Sequence, residues 1–265
     1  MIGPERTSDE TTSARDRAVS DLLAFVLVFG VIITSVGVVY VFGIGALGDA
    51  QAAQQDQNAV HAFESMGASF NDLQTNRGQE RLSELNPRGA RMSIDEDAPE
   101  LTINGIDENV DQPVGAMHYD NDNTRISYEL GAVFRSDDEN SVMIREPEFV
   151  CRDASGETRA IVSFVDIKRD GPVAIGSDST MQIGAIQNGQ QAYTHDSDEN
   201  IELTIRDSSH ADAWARYFDE SGWSVTDPDT IDTGDDFTAT CAVGSDNSVV
   251  VRSTDVELSL ERSES

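Results

Sequence analysis

Lysine is almost missing from this chain: of its 18 basic residues only Lys168 is a lysine, against 49 aspartates and glutamates. That scarcity excludes nucleic acid as a partner, because phosphate binding needs clustered Lys and Arg and no such stretch occurs. It also excludes direct docking of the acidic part on anionic lipid headgroups. Proline is missing from Glu5 through Asn86, so nothing there interrupts a helix. The four histidines His61, His118, His195 and His210 are scattered, with no HExxH pair or zinc-ligand spacing. There is no GxSxG elbow. No N-x-[ST] sequon occurs, so the usual N-glycan acceptor is lacking. With no nucleophile, metal or acid–base motif, no catalytic residue, no metal and no cofactor is expected.

What is there in excess is acid. A formal net charge of -31 would destabilise a compact state by self-repulsion in dilute buffer, and strong salt screens it. The acids are interleaved with strand-like apolar runs rather than blocked, which argues against an acidic disordered chain. Acid excess with one lysine resembles the proteins of halophilic archaea.

Leu22 to Gly48 carries no charge at all (LLAFVLVFGVIITSVGVVYVFGIGALG). As a helix this run reaches roughly 40 Å, more than the ~30 Å hydrocarbon core needs. A helix is also the conformation in which one isolated span satisfies its own backbone. The alternative, a secretory signal, has an apolar region of only ~7–15 residues followed by a cleavage site. Arg6, Arg15 and Arg17 precede the span and no Lys or Arg follows until Arg77. The positive-inside rule therefore predicts a single-pass membrane protein with a cytoplasmic N-terminus and an external C-terminal part. Within the run, Gly43, Gly45 and Gly48 match a dinucleotide-binding GxGxxG. The match sits outside the strand–helix context that motif needs, so close helix packing is the better reading.

Arg17-Ala18-Val19-Ser20 abuts the apolar run, giving a basic, a small, an apolar and a small residue. This resembles the class III signal of archaeal type IV pilins and archaellins, those of haloarchaea in particular. A prepilin peptidase cuts such signals before the hydrophobic helix. The resemblance covers roughly residues 14–48 and implies cleavage after Ala18 or one residue earlier. It also implies assembly with like subunits through the helix. The chain departs from haloarchaeal major pilins in carrying Asp21 where they commonly have proline.

Four segments follow: a cytoplasmic leader (1–21), the transmembrane helix in contact with the bilayer (22–48), an amphipathic helical stalk (49–85) and an acidic β-rich external domain (86–265). In the stalk, Ala59, Phe63, Met66, Phe70 and Leu73 are spaced four, three, four and three apart, with Ala52 one heptad earlier. Such a stripe packs either on the chain's own β-domain or, as a short coiled coil, on a second chain. Pro87, Gly89 and the run Asp95–Glu100 read as the hinge into the domain.

Beyond it, strand-like runs recur at 101–103, 125–134, 141–144, 149–151, 159–167, 180–186, 201–205, 236–243 and 256–260. Asn188-Gly189 reads as a two-residue hairpin turn and Asp120 to Asn123 as another. One helix interrupts, with Ser209 and Asp212 as a capping box, Gly222 as the stop, and Ala213, Trp214, Tyr217 and Phe218 as the buried stripe. The predicted class is α+β: a long N-terminal helix, then a sandwich-like β-rich domain with one inserted helix.

Cys151 and Cys241 fall in strand-like runs and permit one disulfide in an external domain, the alternative being two buried thiols. His118 beside Asp120 and Asp122 carries the residue types of a cation site, although Asp and Asn there are the usual turn formers. Two function classes remain. One is a pilin-like structural subunit assembled through its helix. The other is a permanently anchored surface protein whose β-domain binds a partner.

Overall fold

A computed structural model of the chain describes residues 9–75, 79–87, 89–107, 109–121, 124–137, 140–154, 157–172, 174–176, 180–197, 199–242 and 247–262. The first helix, α1 (Asp9–Gln74), contains the boundary between two compact units, Met1–Gln54 and Gln55–Ser265.

The first unit is helix throughout its described length. Every side chain from Ser20 to Phe42 is exposed, and this stretch is long and apolar enough to cross a membrane. Two of its hydroxyls are satisfied within the helix: Thr34 Oγ1 donates to the Gly30 carbonyl at 2.7 Å and Ser35 Oγ to the Ile32 carbonyl at 2.9 Å.

The second unit holds the remainder of α1 and a set of strands. These begin with β1 (Glu80–Leu85), β2 (Arg91–Asp95), β3 (Glu100–Asn104), β4 (Val110–Pro113), β5 (Ala116–Asn121), β6 (Thr124–Glu129), β7 (Ala132–Ser136) and β8 (Ser141–Arg145). They continue with β9 (Glu148–Ala154), β10 (Glu157–Asp170), β11 (Ala174–Gly176), β12 (Met181–Ser197) and β13 (Ile201–Arg206). After the inserted helix α2 (Ala211–Glu220) come β14 (Ser224–Val225), β15 (Phe237–Cys241) and β16 (Asn247–Arg262). The strands form three sheets: β1-β12-β16-β10-β9, β11-β2-β5-β6-β7-β8 and β14-β15-β13-β3-β4. The expected α+β class with one inserted helix is the observed one, built on three sheets.

Two hydrophobic cores share the long first sheet. Ala160, Val162 and Phe164 of β10, with Val249 and Val251 of β16, face the core that holds α2 and the third sheet. Val165 and Ile167, with Val256, Leu258 and Leu260, face the core that holds α1 and the second sheet. Successive side chains alternate faces, so one pair of strands serves both cores by changing which parity is apolar partway along. The parallel register, Arg159 opposite Ser248 through Asp170 opposite Ser259, keeps that change level on the two strands.

Several expectations need correction. The helix ends at Gln74, and residues 80–85 are strand β1 in register with β12. Glu80, Arg81, Leu82 and Glu84 are good helix formers, and a long-range strand partner overrides that local preference. The run Asp95–Glu100 closes β2 and opens β3, so it lies inside the β-domain rather than before it. Residues 125–134 form two strands joined at Leu130 and Gly131, whose φ values of 54° and 97° suit a tight hairpin. Asn188-Gly189 makes no hairpin: β12 continues through it with a bulge between Gln187 and Gly189. The second expected turn falls between Asn121 and Thr124, which pair across β5 and β6, and residues 122–123 lie outside the described set.

The helix α2 also starts differently. Its N-cap is His210 without a side-chain cap, and Ser208 Oγ instead accepts the His210 N–H at 3.1 Å. Asp212 turns to Arg216, one helical turn on, at 3.1 Å. Ala211, Trp214, Ala215 and Phe218 are buried at helical spacing, with Ala213 beside them, while Tyr217 is partly buried at the margin. Gly222 does follow the helix end at φ 87°, where a Cβ would stand 2.8 Å from the Cys151 carbonyl oxygen.

Candidate functional site

The features with functional content are the apolar stretch of α1, the docked part of the same helix, the disulfide and a buried polar cluster. Each is assembled differently from sequence.

In the docked part, Ala59, Phe63, Met66, Phe70 and Leu73 are all buried, at 1%, 0%, 2%, 1% and 0% exposure. They share one core with Met92, Ile94, Met117, Tyr119, Ile126 and Tyr128 of the second sheet and with Leu258 of the first. Phe70 meets the Tyr128 ring edge-on at 4.8 Å between centroids. Ala52, one heptad earlier, is exposed. Fully burying side chains of this size contributes about 1.5–3 kcal/mol each, which makes the helix part of the domain's core.

Polar side chains lock the helix at both ends of that face. Gln55 Nε2 donates to the Pro87 carbonyl at 2.8 Å and to Tyr119 Oη at 3.2 Å. Asp56 accepts from Asn121 Nδ2 at 2.9 Å and from Thr124 Oγ1 at 3.0 Å. At the far end Asn71 Nδ2 donates to Glu148 Oε1 at 2.9 Å, and Gln190 Nε2 donates to the Gln74 carbonyl. Gln55 and Asp56 continue the stripe's spacing, four residues before Ala59 and seven before Phe63, so the docked face changes there from apolar to polar contacts.

Cys151 on β9 and Cys241 on β15 form a disulfide, joining the first sheet to the third across a separation of 90 residues. A closed loop of that length stabilises by roughly 4–5 kcal/mol in the chain-entropy model, less any native strain. Of the expected processing residues, Arg17, Ala18 and Val19 lie in the α1 backbone, with side chains outside the described set, and Ser20 is exposed where the apolar stretch begins. Gly48 is exposed, and the side chains at 43–47 lie outside the described set.

The buried polar cluster sits where β6, β7 and β8 meet α2. Glu129 is buried, and its Oε1 accepts from Ser208 Oγ at 2.5 Å and Trp214 Nε1 at 2.6 Å. Burial pushes the Glu129 carboxyl up to about 7, against the pull of those two donors. Ser141 Oγ and His210 Nδ1 are hydrogen-bonded at 2.7 Å, and the His210 ring stacks on Phe134 at 4.5 Å. Burial holds the His210 imidazole down at about 3, with His118 and Arg125 acting in the same direction.

A serine bonded to a histidine has the outline of a nucleophile and its base. Here both are buried, at 1% and 0% exposure, and Glu129 bonds Ser208 and Trp214 rather than the imidazole. No reacting group can reach them, so this is a packing cluster that ties α2 to the second sheet.

His118 is likewise bonded inward, to Ser127 Oγ at 2.9 Å, and burial lowers it to about 4 with Arg125 adding to the shift and Asp120 and Asp95 opposing it. Asp120 pairs with Arg125 at 2.5 Å, and Asp122 lies outside the described residues. Among the described residues no group of three or more His, Cys, Asp or Glu side chains is placed to hold a metal.

A family model, DUF7289, described as a family of unknown function, matches residues 17–259, from the helix through the β-domain. No curated protein and no solved structure matches the chain.

Proposed function

The chain belongs to the DUF7289 family, and from the double use of α1 and the RAVS motif beside its apolar stretch we propose that it is a pilin-like structural subunit of the haloarchaeal cell surface. It is anchored, and assembled with like subunits, through its N-terminal helix. The observation that carries the reading is that one helix supplies both an exposed apolar stretch at Ser20–Phe42 and, at Ala59–Leu73, the inner wall of a β-domain. The RAVS motif against the apolar stretch supports processing by a prepilin peptidase after Ala18 or one residue earlier. Three arginines before the span and none directly after it support a cytoplasmic N-terminus and an external domain. The disulfide fits an oxidising location, and the -31 charge fits a salt-rich one. The part we assign the domain is structural rather than enzymatic.

A second reading keeps the anchor and drops assembly: a surface protein, left uncut, whose β-domain binds a partner. The Asp21 departure favours it. The N-terminal residue of protein extracted from native membranes separates the two. Chains beginning at Val19 or Ala18 support the pilin-like subunit; chains that keep Met1 or Ile2 leave only the anchor.

A further inference from the structure

Strand β12 is longer than the strand that covers it. β1 pairs with Met181–Ile186, and the Gln187 N–H donates to the Gln79 carbonyl at 2.9 Å where that ladder closes. After the bulge at Gln187/Gly189, β12 keeps β16 on one side through Ser197 while no described strand lies on its other side. Gln191, Ala192, Tyr193 and Thr194 are exposed along this stretch, Tyr193 at 43%.

This edge differs from the others. Native edge strands are usually blunted by charge, proline, shortness or a cover. β1 carries Glu80, Arg81 and Glu84, β9 carries Glu148, Arg152 and Asp153, and β4 carries Asp111 and Pro113. β14 and β11 have two and three residues. β8 carries Arg145, and Arg216 donates to its Ser141 carbonyl at 2.5 Å. From Thr180 to His195, by contrast, there is no Asp, Glu, Lys or Arg, in a chain where 25% of residues are charged.

The ends of this stretch are taken, since Gln190 Nε2 donates to the Gln74 carbonyl and His195 Nδ1 pairs with Asp107 at 2.8 Å. We propose that the part between them, Gln191–Thr194, is a homotypic docking edge, which takes the same segment of a second copy of this chain as an added antiparallel strand. The occupant follows from charge. A second copy brings another -31, so acidic surface against acidic surface is repelled, and two copies can pair strands only where neither is charged. A basic partner would gain nothing from this neutral edge and would go to the acidic surface elsewhere. Two-fold antiparallel pairing sets the segment against itself, so each contact is made twice. Backbone bonds supply the attraction, and the amide, hydroxyl and Tyr193 side chains meet as cross-strand pairs. The inference does not depend on how α1 is used.

The test uses full-length protein in detergent at molar salt, with the native disulfide intact. Single cysteines replace Gln191, Ala192, Tyr193 and Thr194 in turn. Val142→Cys, exposed on β8 at 60%, is the control. The expected result is a disulfide-linked dimer whose yield peaks sharply within the segment, several-fold above the control, and grows with salt. Adding Thr194→Asp to the best cross-linking variant, or Gln191→Asp where position 194 cross-links best, should abolish that dimer, because it brings two carboxylates into the paired segment. Yields at control level throughout, yields equal at every position, or a dimer that weakens as salt rises would each overturn the proposal. Oligomers seen by sedimentation without edge cross-links would leave helix-mediated assembly standing and remove edge pairing. Edge dimers without larger oligomers would do the reverse.

Discussion

The indole N–H of Trp214 on α2 and the hydroxyl of Ser208 converge on one carboxylate oxygen, Glu129 Oε1 on β6, at 2.6 Å and 2.5 Å. Removing one donor leaves a buried acceptor under-served, at about 1–3 kcal/mol. Trp214→Phe keeps an aromatic ring but loses the donor and part of the buried volume, so it should lower the melting temperature by at least that amount of stability, read by circular dichroism at fixed salt.

The same carboxyl has a pH signature. Its folded pKa, about 7, lies above the ordinary 4.5, so between those values the folded chain keeps a proton that the unfolded chain has released. Its contribution is full below 4.5 and is lost as pH rises through 7. The stability difference between Glu129→Gln and the parent protein should therefore move in favour of the glutamine variant across that window and level off above it, as thermal melts at a series of pH values would show.

Two histidines act in the opposite sense. His210 and His118 are held near 3 and 4 against an ordinary 6.5, so their contribution is full above 6.5 and is lost as pH falls toward those values. Below 6.5 these two imidazoles make stability fall on acidification, while the carboxyls of Glu129 and Asp166, both raised by burial, act against them. His210→Asn, which keeps a polar partner for Ser141, should show a shallower fall of melting temperature with acid. An unchanged slope would remove His210 from the acid response.

Phe63 lies at the centre of the docked face of α1 and is fully buried. Phe63→Asp loses packing of roughly 3 kcal/mol or more and places a carboxylate in an apolar contact. It should lower the melting temperature of the β-domain sharply, while Gln57→Asp, exposed on the opposite side of the helix, should leave it nearly unchanged. Equal melting of the two variants would mean that the helix does not dock.

A soluble fragment tests both the boundary and the salt response. One starting at Gln55 retains the Ala59–Leu73 face, and one starting at Asn86 loses that face together with β1. The longer fragment should fold in molar salt and lose structure on dilution, as the Debye length grows from ~3 Å at 1 M to ~30 Å at 0.01 M. The shorter should fail to fold at either salt level. Circular dichroism of the pair across a dilution series is the measurement.

Local pattern made much of this legible. The apolar stretch, the four-and-three spacing from Ala59 to Leu73 and the Trp214 helix stand out because a helix brings residues three or four apart onto one face. The failures have one cause. Glu80–Leu85 and Asn188-Gly189 carry local preferences for helix and turn, and β12 overrides both through ladders to distant strands. The polar cluster left no trace, since Glu129, Ser141, Ser208 and His210 come from separate elements at unrelated spacings.

By itself the sequence determined the acidity, the span and its flanking charges, the amphipathic face and the α+β class, because each is a property of composition or of near neighbours. Only the tertiary structure decided which strands pair, that β10 and β16 serve two cores, that Cys151 meets Cys241, and that β12 has an edge no strand covers among the described residues. These are choices among long-range partners. They depend on which surfaces are buried once the whole chain has collapsed, and no window of neighbouring residues contains that information.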